Sequence, residues 1–204
     1  MKRFASLIVV SALLAGCNQL LGESKSIHFS SAAPMLKQDE SIIATRLREH
    51  ASSLSPSYSF AHANGQTVVH ARGVPPDQSV QFLLKHRGEF EARSANGRPW
   101  FSQRDIVDAQ AGIDDRQRTV LRLKLSPEAG ARVARLSANE VGTVVSAVLD
   151  GEVLAAANVS APIQNGALQL TINKTPNEAV LISTILKTGS LSFAPGSVQV
   201  QAGP

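Results

Sequence analysis

Val144-Val-Ser-Ala-Val-Leu-Asp-Gly-Glu-Val-Leu-Ala-Ala-Ala-Asn-Val159 is a pair of apolar runs hinged on Asp150-Gly151. Asp-Gly between strand-like runs signals a hairpin, because a type I′ turn needs positive φ at both central positions. Glycine takes that conformation without a Cβ clash, and aspartate tolerates it better than most residues. Asp150 and Gly151 are therefore read as a structural turn. Downstream, residues 167–172 read as another strand, and Thr175-Pro176-Asn177-Glu178 opens a helix. Thr175 can act as N-cap, Pro176 occupies the first helical position, and Glu178 sits three residues beyond the cap. Ala179, Ile182, Ile185 and Leu186 give this helix one buried face, and Gly189 is the residue expected to close it.

Upstream of the hairpin, residues 119–125 alternate Val120, Arg122 and Lys124 with Leu121, Leu123 and Leu125, the pattern of a half-buried strand. Ser126-Pro127-Glu128 starts a helix by the same cap-and-proline logic, carrying Ala129, Val133 and Leu136. Residues 100–196 thus read strand, helix, hairpin, strand, helix: a four-stranded sheet covered on one face. Residues 197–204 remain as a C-terminal strand or tail.

A second unit is expected over residues 38–99. Its first helix, from Asp39, places Ile42, Ile43, Leu47 and Leu54 on one face with Arg46, Arg48 and Glu49 opposite. Strands over 58–62 and 67–71 are joined through Asn64-Gly65, which repeats the hairpin chemistry. Pro75-Pro76-Asp77 begins a helix with Val80, Leu83 and Leu84 inward, Gly88 stops it, and residues 89–93 form a closing strand. Asn96-Gly97-Arg98-Pro99 marks the boundary. This alternation predicts an α+β fold of two units, each an antiparallel sheet with helices on one face, rather than a doubly wound sheet.

The N-terminus carries a different signal. Lys2-Arg3 precede an apolar run ending in Leu14-Ala15-Gly16-Cys17, the form of a bacterial lipobox. The run is shorter than the roughly 20 apolar residues a membrane-spanning helix needs. Cys17 is the single cysteine, so it has no disulfide partner. Residues 1–16 are read as a lipoprotein signal peptide and Cys17 as the lipidation site, anchoring the chain to the membrane through its N-terminal lipid. Asn18 in place of Asp points to the outer membrane. Residues 17–37, rich in Ser, Gly and Ala and containing Pro34, are read as a flexible tether.

Composition narrows the function. The 204 residues are 43% hydrophobic, enough for a core, and the formal charge of +4 includes Lys2 and Arg3. With these removed the balance is roughly +2. The basic residues are scattered, and one Trp, one Tyr and seven Phe offer few stacking platforms, so no nucleic-acid partner is expected. The five histidines, at 28, 50, 62, 70 and 86, form no metal-site spacing. Asp105, Asp108, Asp114 and Asp115 lack a calcium-loop pattern, and no Gly-x-Ser-x-Gly or phosphate-cradling loop is present. No catalytic residue, metal or cofactor is assigned, and the chain is read as non-enzymatic.

A succession of short motifs does carry a likeness. Ile106-Val-Asp-Ala-Gln-Ala-Gly-Ile113, Leu123-Lys-Leu-Ser-Pro-Glu-Ala-Gly130, Val148-Leu-Asp-Gly-Glu-Val153, Ala161-Pro-Ile163 and Leu186-Lys-Thr-Gly-Ser-Leu191, in that order, resemble SecD, an accessory subunit of the bacterial preprotein translocase. The match is to its first periplasmic domain, made of base and head, and weaker echoes at Ala44-Thr-Arg-Leu-Arg48 and Gln66-Thr-Val-Val69 extend it to residues 40–200. The resemblance implies ferredoxin-like α+β subdomains and contact with emerging polypeptide. Departures include Asn165-Gly166 where the family commonly has Gly-Gly, and no 18-residue apolar run after the signal to form the family's proton-coupled helices.

The resulting expectation is a periplasm-facing lipoprotein that contacts exported or unfolded polypeptide passively, through sheet edges at residues 167–172 or 198–201. A scaffolding lipoprotein that binds a folded envelope protein is the alternative. A polysaccharide enzyme is disfavoured by the scarce aromatics and the lack of paired carboxylates.

Overall fold

The computed structural model describes residues 23–31, 35–52, 54–63 and 66–203. Cys17 and the Asn64-Gly65 turn lie outside the described residues.

The chain runs β1 (Ser24–Ser31), α1 (Lys37–Arg48), β2 (Ser57–Ala63), β3 (Gln66–Arg72), α2 (Asp77–Lys85), β4 (Phe90–Ser94), β5 (Pro99–Ser102), β6 (Ile106–Ile113), β7 (Thr119–Leu125), α3 (Pro127–Asn139), β8 (Val144–Leu149), β9 (Glu152–Asn158), β10 (Ala167–Thr171), α4 (Pro176–Thr188) and β11 (Pro195–Ala202). A 3-10 turn, Gln103–Asp105, separates β5 from β6. The strands form three antiparallel sheets with orders β11-β1-β3-β2, β10-β7-β6 and β5-β4-β8-β9. The fold is α+β.

Two cores result. In the first, which we call the base, β1 and β3 turn Ile27, Phe29, Val69 and Ala71 toward Ile42, Ile43 and Leu47 of α1 and Val80 and Leu84 of α2. Every second residue of β3 is buried, as a sheet with one covered face requires. In the second, the head, Phe90, Trp100, Leu121, Leu123 and Leu149 of the two remaining sheets pack with Val133 of α3 and Ile182, Ile185 and Leu186 of α4.

Local chemistry sets the element ends. Ser126 Oγ accepts from Ala129 N at 3.3 Å, and Thr175 and Glu178 form a reciprocal capping box on α4. Asp150 and Gly151 connect β8 to β9 with φ of 51° and 86°. The ladder carries a bulge two residues later. Ala147 faces Ala155 and Val148 faces Val153, so Leu154 is the extra residue and turns into the core while Val153 points to solvent.

Several expectations are corrected by the pairing. Residues 24–31, read within a flexible tether, are the inner strand β1, held on one side by β11 and on the other by β3. Its serines alternate with Ile27 and Phe29, which supply the buried face. The strand expected to close the first unit pairs instead with β8 and β5, so β4 belongs to the head although it precedes residue 99. Conversely β11 completes the base sheet. The chain therefore crosses from base to head once, near residues 86–89, and returns near residues 189–194. The single four-stranded sheet expected over 100–196 is two sheets, because β6 and β10 pair with β7 while β4 and β9 pair with β8. Helix α1 ends at Arg48, leaving Leu54 fully exposed in the loop before β2 rather than on the helix face.

Candidate functional site

The two sheets of the head diverge between β9 and β10, leaving an apolar groove of about 230 Å³. Trp100 and Phe101 from β5 and Val145 from β8 line one side, with Leu168 and Leu170 from β10 on the other. The segment after β9 closes the groove, and Ile163 N donates to Ser137 Oγ of α3 at 2.8 Å, fixing that segment to the helix. Trp100 is held by its own polar end: Nε1 donates to Glu140 Oε2 at 3.3 Å, while Arg98 engages Glu140 Oε1 at 3.3 Å. The Trp100 ring is therefore fixed rather than free to collapse into the space.

β10 forms one rim. It pairs with β7 on one side and, among the described residues, with no strand on the other. Leu168 and Leu170 point to the groove face while Ala167, Gln169 and Thr171 are exposed. An extended segment added here could use backbone pairing for affinity and the groove for alternate side chains. β11, the other expected edge, is also terminal in its sheet, but α2 packs against it.

A second polar centre sits where the chain crosses between base and head. Arg46 of α1 is fully buried, not on the exposed helix face that its spacing suggested. All of its N–H donors are used: Nε to Thr188 Oγ1 (3.2 Å), Nη1 to Leu83 O (2.9 Å) and His86 O (2.6 Å), Nη2 to Arg87 O (3.1 Å) and Gly189 O (2.7 Å). These acceptors close α2 and α4, whose C-terminal ends are the favourable place for a cation. Burial lowers the guanidinium pKa to about 10, and Asp150 works in the opposite direction. Asp150 accepts from Gly88 N (3.0 Å) and Glu89 N (2.8 Å), so the β8–β9 turn grips the outgoing crossover. Gly189 closes α4 with φ of 93° and offers its carbonyl to Arg46.

The neighbouring contacts join the same two bodies. Asp39 is buried at the start of α1 and accepts from Leu36 N (2.9 Å), Ser192 N (2.8 Å) and Ser192 Oγ (2.7 Å). Arg87 N–H and C=O groups bridge to Leu191, binding the two crossover segments to each other. At the end of α1, His50 Nε2 lies 2.8 Å from Thr184 Oγ1, and Glu49 pairs with Lys187 at 2.9 Å. Burial pulls the His50 pKa below its ordinary value, with Glu49 raising it and Lys187 lowering it.

The other candidates resolve into structural roles. His62 bonds Thr67 and Glu40, His70 bonds Ser26, and the His86 ring meets the Phe82 carbonyl. Asp105 caps the 3-10 turn. Its burial would raise the pKa, but the Ser102 N–H and Arg132 outweigh this and hold it low. Asp114 is held low by the Arg118 N–H and guanidinium. No cluster of three or more His, Cys, Asp or Glu residues positioned to hold a metal occurs among the described residues. No described helix is long and apolar enough to cross a membrane. Sequence reading missed Arg46 and the groove because both depend on residues far apart in the chain. The one local hint for the groove was Trp100-Phe101 beside an Asn-Gly turn.

Comparison with known proteins agrees with this architecture. Residues 79–193 match the family described as the SecDF P1 head subdomain. A protein translocase subunit SecD from Acidaminococcus fermentans is 32% identical over 125 residues, covering 61% of this chain and 30% of that protein. The chain thus spans about 30% of that relative's length. A solved structure of SecDF in a super-membrane-facing form superposes with a TM-score of 0.71 at 16% identity, covering 91% of this chain and 31% of that one. A second structure, of a membrane component SecDF described as enhancing protein export, gives 0.70 at 19% identity, with 87% of this chain and all of the other covered.

Proposed function

Because the chain belongs to the SecDF P1 head subdomain family, we propose that it holds exported or unfolded polypeptide in the head groove, as a lipoprotein anchored through Cys17 and facing the periplasm. The observation that supports this reading is the apolar groove beside an edge strand without a partner among the described residues. An unfolded chain offers both things such a site can use: apolar side chains, and backbone groups ready to extend β10. Holding is passive. Equilibrium binding can retain a client but cannot move it in cycles, and the sequence has no phosphate-cradling loop to supply a driving step.

The test titrates the full chain against an unfolded envelope protein, following aggregation by light scattering. Suppression is expected at about one chain per client, as mass action predicts for simple binding, with no dependence on nucleotide or proton gradient. Leu168→Asp/Leu170→Asp should remove it, since charge in the groove opposes apolar burial. No suppression at any ratio would overturn the holding reading and favour a scaffold that binds one folded partner.

A further inference from the structure

One end of the base sheet collects features that point to a lipid surface. Ser24 of β1 stands opposite Arg72 of β3, which stands opposite Ser57 of β2. Gly73 N donates to Glu23 O at 3.2 Å, and Gly203 N donates to Ser24 O at 2.8 Å. The loop after α1 joins the same rim: Ser52 N donates to Gly73 O at 3.0 Å and Ser52 Oγ to Val74 O at 3.0 Å. Leu54, two residues beyond this clasp, is fully exposed. A single exposed leucine is ordinary on a protein surface. Its position is what matters here.

We propose that this rim is seated on the bilayer, with Leu54 inserted at the acyl boundary and Arg48 and Arg72 against anionic headgroups. The proposal rests on the reading of Cys17 as the acylated residue. Cys17 precedes Ser24 by seven residues, so even a fully extended connection reaches at most about 25 Å. Part of that length lies within the headgroup layer, roughly 6 Å deep on each face. The strand that enters the base is thus held within a short reach of the membrane, and the rim at its start is the part brought closest. Of the acidic groups at this end, Asp77 is bonded to Lys25 and Glu49 to Lys187, while Glu23 adds one carboxylate. Arg48, whose carbonyl accepts from Ala51 N at 3.1 Å beside the Ser52 clasp, and Arg72 therefore leave the rim suited to anionic lipid, and Leu54 supplies the apolar contact.

The full-length protein is recovered from membranes and reconstituted into phosphatidylethanolamine–phosphatidylglycerol vesicles carrying brominated acyl chains. Leu54→Trp reports insertion, and Val153→Trp, on exposed β9 of the head, serves as the comparison. Buried Trp100 gives the same background in both. The mass of the N-terminal peptide is measured on the same sample. Acylated Cys17 with Leu54→Trp fluorescence reduced by about half, and Val153→Trp unchanged, is the expected result, since an interfacial residue lies within reach of the acyl bromines. Acylated Cys17 with both tryptophans unquenched overturns the docking and leaves the anchor standing. Unmodified Cys17 in the membrane-recovered chain overturns the anchor, and with it the short connection on which the docking depends.

Discussion

Gly88 and Arg46 occupy adjoining space: a Cβ built on Gly88 would lie 2.6 Å from Arg46 Nη2. Gly88 also has φ of 89°, so the outgoing crossover needs glycine for two separate reasons. The backbone turns left-handed there to bring Gly88 N and Glu89 N onto the Asp150 carboxylate, and the missing side chain leaves room for the guanidinium.

Gly88→Ala should therefore cost more than Gly97→Ala. Gly97 also has positive φ, but nothing stands within 4 Å of its added Cβ. The strain shared by both sites is about 1–3 kcal/mol, and only Gly88 adds displacement of a buried cation. Urea denaturation of the two variants measures the difference. Equal losses would mean that the Arg46 contact contributes nothing.

Arg46→Met should weaken the joint between base and head as well as the fold. It removes every donor from the carbonyls of Leu83, His86 and Gly189, for a loss of about 3–5 kcal/mol. Arg46→Lys should lose less but remain damaging, because an ammonium has three donors and cannot span both helix ends. Trp100 fluorescence reports the head and far-UV circular dichroism the whole chain. The two transitions should coincide in the wild type and separate in Arg46→Met, with the head outlasting the base.

Stability should decline as pH falls below about 6.5 through protonation of His50. Its folded pKa is lowered, chiefly by burial, so the unfolded chain binds the proton more readily. The contribution is complete above the ordinary histidine value and is lost as pH drops through the folded one. His50→Gln should flatten the stability profile in that window. Asp105 contributes to a second decline below about pH 4, because its folded pKa is also depressed, and Asp105→Asn should make that part shallower, with Asp114 and Glu178 supplying the rest.

The β8–β9 turn gives a paired prediction. Gly151→Val places a β-branched residue at φ of 86° and should cost about 1–3 kcal/mol. Asp150→Ala brings no relief at positive φ, which aspartate tolerates better than alanine, and leaves Gly88 N and Glu89 N without their acceptor. It should therefore separate the two denaturation transitions, whereas Gly151→Val lowers them without uncoupling base from head.

The elements written in adjacent residues were legible in the sequence. Thr175 through Glu178, Ser126-Pro127 and Asp150-Gly151 each carry their own cap or turn, so their conformations follow from contacts a few residues apart. Arg46 was not legible, because its spacing on α1 places it beside Arg48, and burial comes from acceptors as distant as Gly189. β1 was hidden by its serines. Ile27 and Phe29 do alternate within it, but a strand that polar acquires its identity only between β11 and β3. The sheet partition escaped for the same reason: β4 looks alike whether it pairs backward with the base or forward with β8. The groove needed both sheets to be placed before its walls could be seen.

The nesting of head within base has a consequence for biosynthesis. Residues 90–188 hold all the strands of the two head sheets and helices α3 and α4, so the head can assemble as a continuous stretch while the chain is still emerging. The base cannot, since one edge of β1 waits for β11, which follows the whole head in the sequence. Until then the N-terminal strand lacks a neighbour, and Phe29 lacks the stacked ring of Phe193. Assembly thus proceeds from the inside of this stretch outward, and the arrival of residues 195–202 is the event that closes the base sheet.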